Sequence, residues 1–350
     1  MPTLISRLFD GQTIATRARI KRTYAMLIAA NIGAWAWALL IFQDRPVMLG
    51  TALLAYGFGL RHAVDADHIA AIDNVTRKLM QDGKRPVRIG LFFSMGHSLV
   101  VVLASAAIAL TTTALQDRFE GFKELGGIIG TIVSAGFLFL IAAMNMIILA
   151  GLWRSWKTLR AGGSIAPDDV DMLLNQRGLL ARLFRPVFKL ITEDWHMLPL
   201  GFLFGLGFDT ATEIAVLGIS ATEASHGVSV WSIMVFPALF AAGMTLIDTT
   251  DGLLMIGAYD WAFVNPVRKL FYNISITAVS VFVAVVIGGI EALGLIADQL
   301  QLEGGFWDAI GTLNDQFGLL GAAVIAIFIA AWIISVLIWR YRGLEAEQNV

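Results

Sequence analysis

Apolar residues along this chain gather in long, nearly uninterrupted runs, with polar residues confined to the gaps between them. Eight runs stand out, at residues 25–42, 47–75, 89–113, 126–152, 197–220, 231–257, 270–297 and 317–339. A helix needs roughly 20 apolar residues to cross hydrocarbon, and none of the runs shows the short alternation of an outer-membrane barrel. The pattern therefore predicts an all-α, polytopic membrane protein with eight transmembrane helices in a single membrane domain covering residues 1–350. The one long polar connection, Trp153 to His196, contains Leu179, Leu180, Leu183, Phe184, Val187, Phe188 and Ile191 at near-helical spacing, with Arg177, Arg182, Arg185 and Lys189 between them. That pattern predicts a basic amphipathic helix lying on the inner leaflet, kinked at Pro186.

Composition agrees. Of 350 residues 57% are hydrophobic and 15% charged, and the mean hydropathy is +0.73, which leaves too little polar surface for a soluble protein of this size. The distribution of charge says more than its sum. With the N-terminus in the cytoplasm, all but four of the 25 Lys and Arg residues fall on the inner side; Arg45, Arg118 and Lys123 lie outside, and Arg61 lies within the second span. The positive-inside rule thus predicts that both termini lie in the cytoplasm. The first span follows a basic stretch and leads into further spans, so it is expected to stay as an anchor. A net charge of -2 without a basic stripe argues against a nucleic-acid partner. No obligatory protein partner is evident, and the lipid bilayer is the expected surrounding. The chain has no cysteine, which removes thiolate metal sites and disulfides.

Charge is costly in lipid, so the ionisable residues inside the runs are the candidate chemistry. The second span holds His62, Asp65, Asp67 and His68 within seven residues, the third holds His97, the fifth Asp209, Thr210 and Glu213, and the sixth Asp248 and Asp251. Counting at 1.5 Å per residue, His68, His97, Asp209 and Asp248 all lie about 12 to 18 Å from the inner ends of their helices. Mixed imidazole and carboxylate groups at one depth fit a divalent cation such as nickel, cobalt, zinc or manganese, and nickel and cobalt favour the imidazoles. On one regular helix His62, Asp65 and His68 share a stripe about 120° wide while Asp67 points elsewhere. Either Asp67 serves a neighbouring helix or the backbone is irregular there. Acids of the fifth and sixth spans would orient ligands or pass the ion on.

A faint internal repeat runs through the same segments. Gly59-Leu60, Asp65 and Ile69-Ala70 resemble Gly205-Leu206, Asp209 and Ile214-Ala215, and Gly96-His97-Ser98-Leu99 resembles Gly243-Met244-Thr245-Leu246. Both pairs lie about 146 residues apart, and the predicted topology runs the second and third spans opposite to the fifth and sixth, the arrangement of an inverted repeat.

These motifs resemble the nickel/cobalt transporter family. The family's second-span signature, of the form R-H-A-x-D-A-D-H-I, stands complete from Arg61 to Ile69, and its other motifs match Phe93 to Ser98, Gly205 to Glu213 and Gly243 to Gly252. The resemblance implies secondary transport of nickel, with cobalt as a second substrate, across the cytoplasmic membrane for the supply of metalloenzymes. It makes His62, Asp67 and His68 the central motif, where the helical wheel favours Asp65, and it adds Asn31 of the first span as a ligand that tunes nickel against cobalt. The resemblance implies no enzyme activity and no cofactor. No G-x-x-x-x-G-K-[ST] phosphate loop is present, so ATP is not hydrolysed by this chain. An inside-negative potential gives a divalent cation about 4.6 kcal/mol per 100 mV, enough for roughly 2000-fold accumulation. Two other readings use the same residues: a membrane subunit of an ATP-driven metal importer, and an intramembrane metalloenzyme, for which H-E-x-x-H is absent and five histidines are few.

Overall fold

In the computed structural model of the chain, residues 14–110, 116–160, 191–206, 211–262 and 266–341 are described. They form twelve α-helices and one short 3-10 turn, with no strand among them. In chain order the helices are α1 (Ile14–Phe42), α2 (Pro46–His62), α3 (Ala66–Gln81), α4 (Ile89–Leu110), α5 (Gln116–Arg160), α6 (Met197–Gly205), α7 (Ala211–Ser225), α8 (Val230–Ile233), α9 (Val235–Ala262), α10 (Pro266–Leu300), α11 (Gly305–Asp315) and α12 (Phe317–Tyr341).

Five of the predicted spans are continuous apolar helices, the second is a pair of helices bent by 50°, and the eighth counts as a span together with α11, which lies outside the predicted run and meets it at a 76° bend. The predicted fifth span is divided between α6 and α7, with residues 207–210 outside the described set. Several helices outrun their apolar runs. The predicted first span starts at residue 25, but α1 starts at Ile14 because a polar sequence such as Arg17-Ala18-Arg19-Ile20 continues a helix into water as readily as into lipid. The predicted amphipathic helix around Leu179–Ile191 falls almost wholly outside the described residues. The end of that connection is held by two lysines: Lys78 donates to the Ile191 carbonyl at 2.5 Å, and Lys84 to the Thr192 carbonyl at 2.5 Å and Glu193 Oε1 at 2.6 Å. The Lys84 ammonium holds the exposed Glu193 carboxyl below the usual carboxylate range.

Of the two alternatives for the second span, the irregular backbone is the one observed: the span over residues 47–75 breaks at Ala63–Asp65 and bends by 50°. Two tight turns, Val64 N–H to the Arg61 carbonyl at 3.0 Å and Asp65 N–H to the His62 carbonyl at 2.9 Å, close the break. Asp65 has extended backbone (φ -68, ψ 147) and stands where an N-cap would, yet its side chain caps nothing. The carboxylate is taken by His62 instead. The break is roofed by α12, where a Cβ on Gly321 would overlap the Val64 carbonyl.

The helices around the break pack backbone to backbone. A Cβ on Gly59 of α2 would overlap the Phe240 carbonyl of α9, and one on Gly201 of α6 would overlap the Phe93 carbonyl of α4. Close approach through small residues is how helices associate where lipid removes the hydrophobic drive. Around this centre, α10 packs along α5, where Ser134 donates to the buried Glu291 at 2.9 Å. The lipid-facing sides carry exposed leucine and isoleucine, including Ile32, Leu40 and Leu319.

Candidate metal centre

Breaking the second span sets His62 at the end of α2 and His68 in the first turn of α3, so the two imidazoles fold toward each other. Their ring centroids are 4.7 Å apart. His97 of α4 completes a triangle, 4.8 Å from His62 and 4.6 Å from His68. One ligand nitrogen from each lies within 4.8 Å of the others, and all three side chains are buried, His68 fully. The Nε2 atoms of His62 and His97 stand 2.9 Å apart. Two imidazole nitrogens bound at right angles to one ion at about 2.1 Å would be separated by nearly that distance.

Carboxylates hold the rings from behind. His62 Nδ1 pairs with Asp65 Oδ2 at 2.9 Å, and His68 Nδ1 with Asp248 Oδ2 at 3.1 Å. A carboxylate on the far nitrogen fixes the tautomer so that the near nitrogen presents its lone pair, and raises its basicity as a ligand. Ser94 Oγ in turn donates to Asp248 Oδ2, and Thr212 Oγ1 lies 3.2 Å from His62 Nδ1. Glu213 is placed differently: its Oε1 is 2.9 Å from His97 Nε2 and 3.8 Å from His62 Nε2, on the ligand side of both rings. Among the described residues, His68 Nε2, His97 Nδ1 and Asp248 Oδ1 are buried without a hydrogen-bond partner. Unsatisfied buried nitrogen and oxygen cost free energy and mark a place where something polar binds.

The candidates from sequence divide accordingly. His62, His68, His97, Asp65, Glu213 and Asp248 come together. Asp67 is half-buried in the first turn of α3, close enough for its charge to act on both His62 and His68. Asp251 sits one turn further along α9, with Oδ2 buried and unpartnered among the described residues. Asp209 and Thr210 lie outside the described residues. Asn31 is occupied elsewhere: its amide donates to the Leu27 carbonyl at 2.9 Å and the Ala242 carbonyl at 3.2 Å, and its oxygen accepts from Tyr56 at 3.0 Å. It clamps α1 and α2 to α9 instead of pointing at the histidines. Sequence reasoning missed Ser94 and Thr212, whose only signal was their place inside motifs already singled out, and it missed the aromatic walls. Phe93 meets His68 edge-on at 4.8 Å and Phe240 lies 5.5 Å from His62.

Known proteins share this arrangement of sequence. The family profile described as a high-affinity nickel-transport protein matches residues 48–338, which include every group in the triangle. The chain belongs to the high-affinity nickel-transport family. Among family members, a high-affinity nickel transport protein of Cupriavidus necator is 61% identical over 99% of this chain and 98% of its own length. The nickel transporter NixA of Staphylococcus aureus is 47% identical over 92% of this chain and 94% of its own. The cobalt transport protein NhlF of Rhodococcus rhodochrous is 40% identical, covering 86% of this chain and 85% of its own. No solved structure matches the chain.

Proposed function

We propose that this protein is a secondary transporter importing nickel(II), and cobalt(II) as a second substrate, across the cytoplasmic membrane, with both termini in the cytoplasm. The observation that supports the reading is the buried triangle of His62, His68 and His97, with ligand nitrogens close enough to share one ion, His68 Nε2 unpartnered among the described residues, and Asp65 and Asp248 behind the rings. Membership of the nickel-transport family supports the choice of metal, and the imidazole-rich donor set suits these borderline ions over magnesium or calcium. The arriving ion exchanges bound water for His62, His68 and His97, with Glu213 as the nearest carboxylate. Neutral imidazoles are required for this step. Negative charge on the surrounding aspartates offsets the cost of holding a dication in a low-dielectric interior. The membrane potential then favours inward release, without a nucleotide site and without a resident cofactor or partner subunit.

Uptake of radioactive nickel by the purified chain in proteoliposomes tests this. Accumulation that rises with an inside-negative potential and is competed by cobalt more than by zinc or manganese is the expected result. Uptake that needs an added ATPase subunit would refute secondary transport and favour an ATP-driven importer.

A further inference from the structure

The two glycine seams beside the metal centre are copies of each other. In the seam of α2 with α9, a Cβ on Gly59 would overlap the Phe240 carbonyl, and one on Gly243 would come within 3.0 Å of the Tyr56 carbonyl oxygen and 3.3 Å of the Leu60 nitrogen. In the seam of α6 with α4, the Cβ of Gly201 would overlap the Phe93 carbonyl, and that of Gly96 would meet the Leu198 carbonyl and the Phe202 nitrogen. One pair of shifts converts the first seam into the second. Moving α2 by 142 positions takes Tyr56, Gly59 and Leu60 to Leu198, Gly201 and Phe202, and moving α4 by 147 takes Phe93 and Gly96 to Phe240 and Gly243. The sequence match of Gly59 with Gly205 is therefore one helical turn out of the register the contacts display.

Direction follows from the same contacts. In the seam of α4 with α6 the residue numbers rise together, Gly201 lying on Phe93 and Gly205 on His97, and the apolar clusters of α2 with α9 advance the same way, from Ala52 and Ala55 with Val235 and Phe236 to Ala63 with Phe240 and Met244, so both pairs run parallel. Between α4 and α9 they run oppositely, with Gly90 near Gly252 and Ser94 on Asp248. The unit of α2 and α4 is thus related to that of α6 and α9 by inversion of direction, as in transporters built from inverted repeats.

Phe93 and Phe240 occupy equivalent positions in the two copies, both fully buried, and each lays its ring on a histidine of the triangle. Phe93 lies against His68 and His97, and Phe240 against His62. Phe93 precedes His97 by about one turn on α4, whereas Phe240 precedes Asp248, the partner of His68, by about 12 Å on the oppositely directed α9. Resting on the transport reading above, we propose that Phe93 and Phe240 are the paired gates of the metal centre, Phe240 closing the outer approach and Phe93 the inner one. Because each carbonyl is docked on a glycine of the facing helix, the backbone at both gates is fixed. Opening falls to the side chains, as rotation between staggered χ1 wells.

The chain's lack of cysteine makes a direct test available. Thr212, buried beside His62, is replaced by a reporter, Thr212→Cys, and its modification by a membrane-impermeant cationic methanethiosulfonate is timed from outside in right-side-out vesicles and from inside in inverted ones. Adding Phe240→Ala should speed modification from outside alone, and Phe93→Ala from inside alone, by tenfold or more, the change for about 1.4 kcal/mol of barrier removed. Acceleration from the same face in both variants, or in neither, overturns the assignment. Phe93→Leu and Phe240→Leu keep much of the packing volume and carry the same two-sided prediction should either alanine variant fail to fold. Labelling does not require transport, so a chain that imports no nickel would sink the proposed function and leave the gates standing, and the reverse holds equally.

Discussion

Two polar clusters are buried on α3, only five residues apart, and they are finished to different degrees. Around Asp73 nearly all donors and acceptors close on one another, with Arg77 Nε left over: Tyr259 and Ser280 each donate to one carboxylate oxygen, while Arg77 donates to Thr277 and Asn74, and Asn145 donates to Asn74. Around His68 they do not close, since ring nitrogens of His68 and His97 and one oxygen of Asp248 are left without partners among the described residues. Burial is similar in both. A satisfied network ties helices together, whereas an unsatisfied one holds free energy that a ligand can release. The contrast separates a structural knot from a binding site where residue type alone would call both of them charged clusters in a membrane.

The largest effect is expected at the open cluster. His62→Ala or His68→Ala should abolish nickel uptake while the amount of protein in the membrane, followed by immunoblot, stays at the wild-type level. Loss of the protein itself would put the histidines in the structural class and erase the contrast. At the closed cluster the opposite is predicted. Asp73→Ala leaves two hydroxyls and the Arg77 charge uncompensated, at about 3–5 kcal/mol, so thermal unfolding in detergent should shift steeply downward while the folded remainder keeps its metal affinity. Asp248→Asn lies between, because the amide keeps the shape and loses the charge behind His68: affinity for nickel in equilibrium binding should fall about 10–100-fold with little change in melting. Gly201→Ala should cost about 1–3 kcal/mol in stability through the clash with the Phe93 carbonyl, and Gly57→Ala, which meets nothing, should cost none. Smallest of all, Lys84→Ala should leave the uptake rate unchanged and lower the melting temperature only slightly, through the lost bonds to Thr192 and Glu193.

Much of this was legible beforehand, for identifiable reasons. Lipid demands long apolar runs, so the spans showed as composition, and it penalises charge, so His62, His68, His97, Asp248 and Glu213 stood out against it. An irregular backbone near Asp67 was one of two alternatives, but its place at Ala63–Asp65 did not show, because Arg61-His62-Ala63-Val64-Asp65 contains neither glycine nor proline and its turns lie under α12 and beside the His62–Asp65 pair. The helical wheel reached Asp65 by assuming a regular helix that is absent; Asp65 does pair with His62, by virtue of the bend. Asn31 carried no local sign that its amide would be spent on Ala242 and Tyr56, both distant in sequence.

The sequence by itself determined that this chain lives in a membrane, that rare histidines and acids interrupt its apolar spans, and that they match a nickel-transport signature, since each follows from the solvation cost of charge in lipid or from residue identity. Only the tertiary structure decided which acids face the histidines, which nitrogens are left unsatisfied and which phenylalanines wall them in. Those depend on where one helix breaks and on which backbones glycine lets approach, and contacts between residues more than a hundred positions apart leave no trace in local pattern.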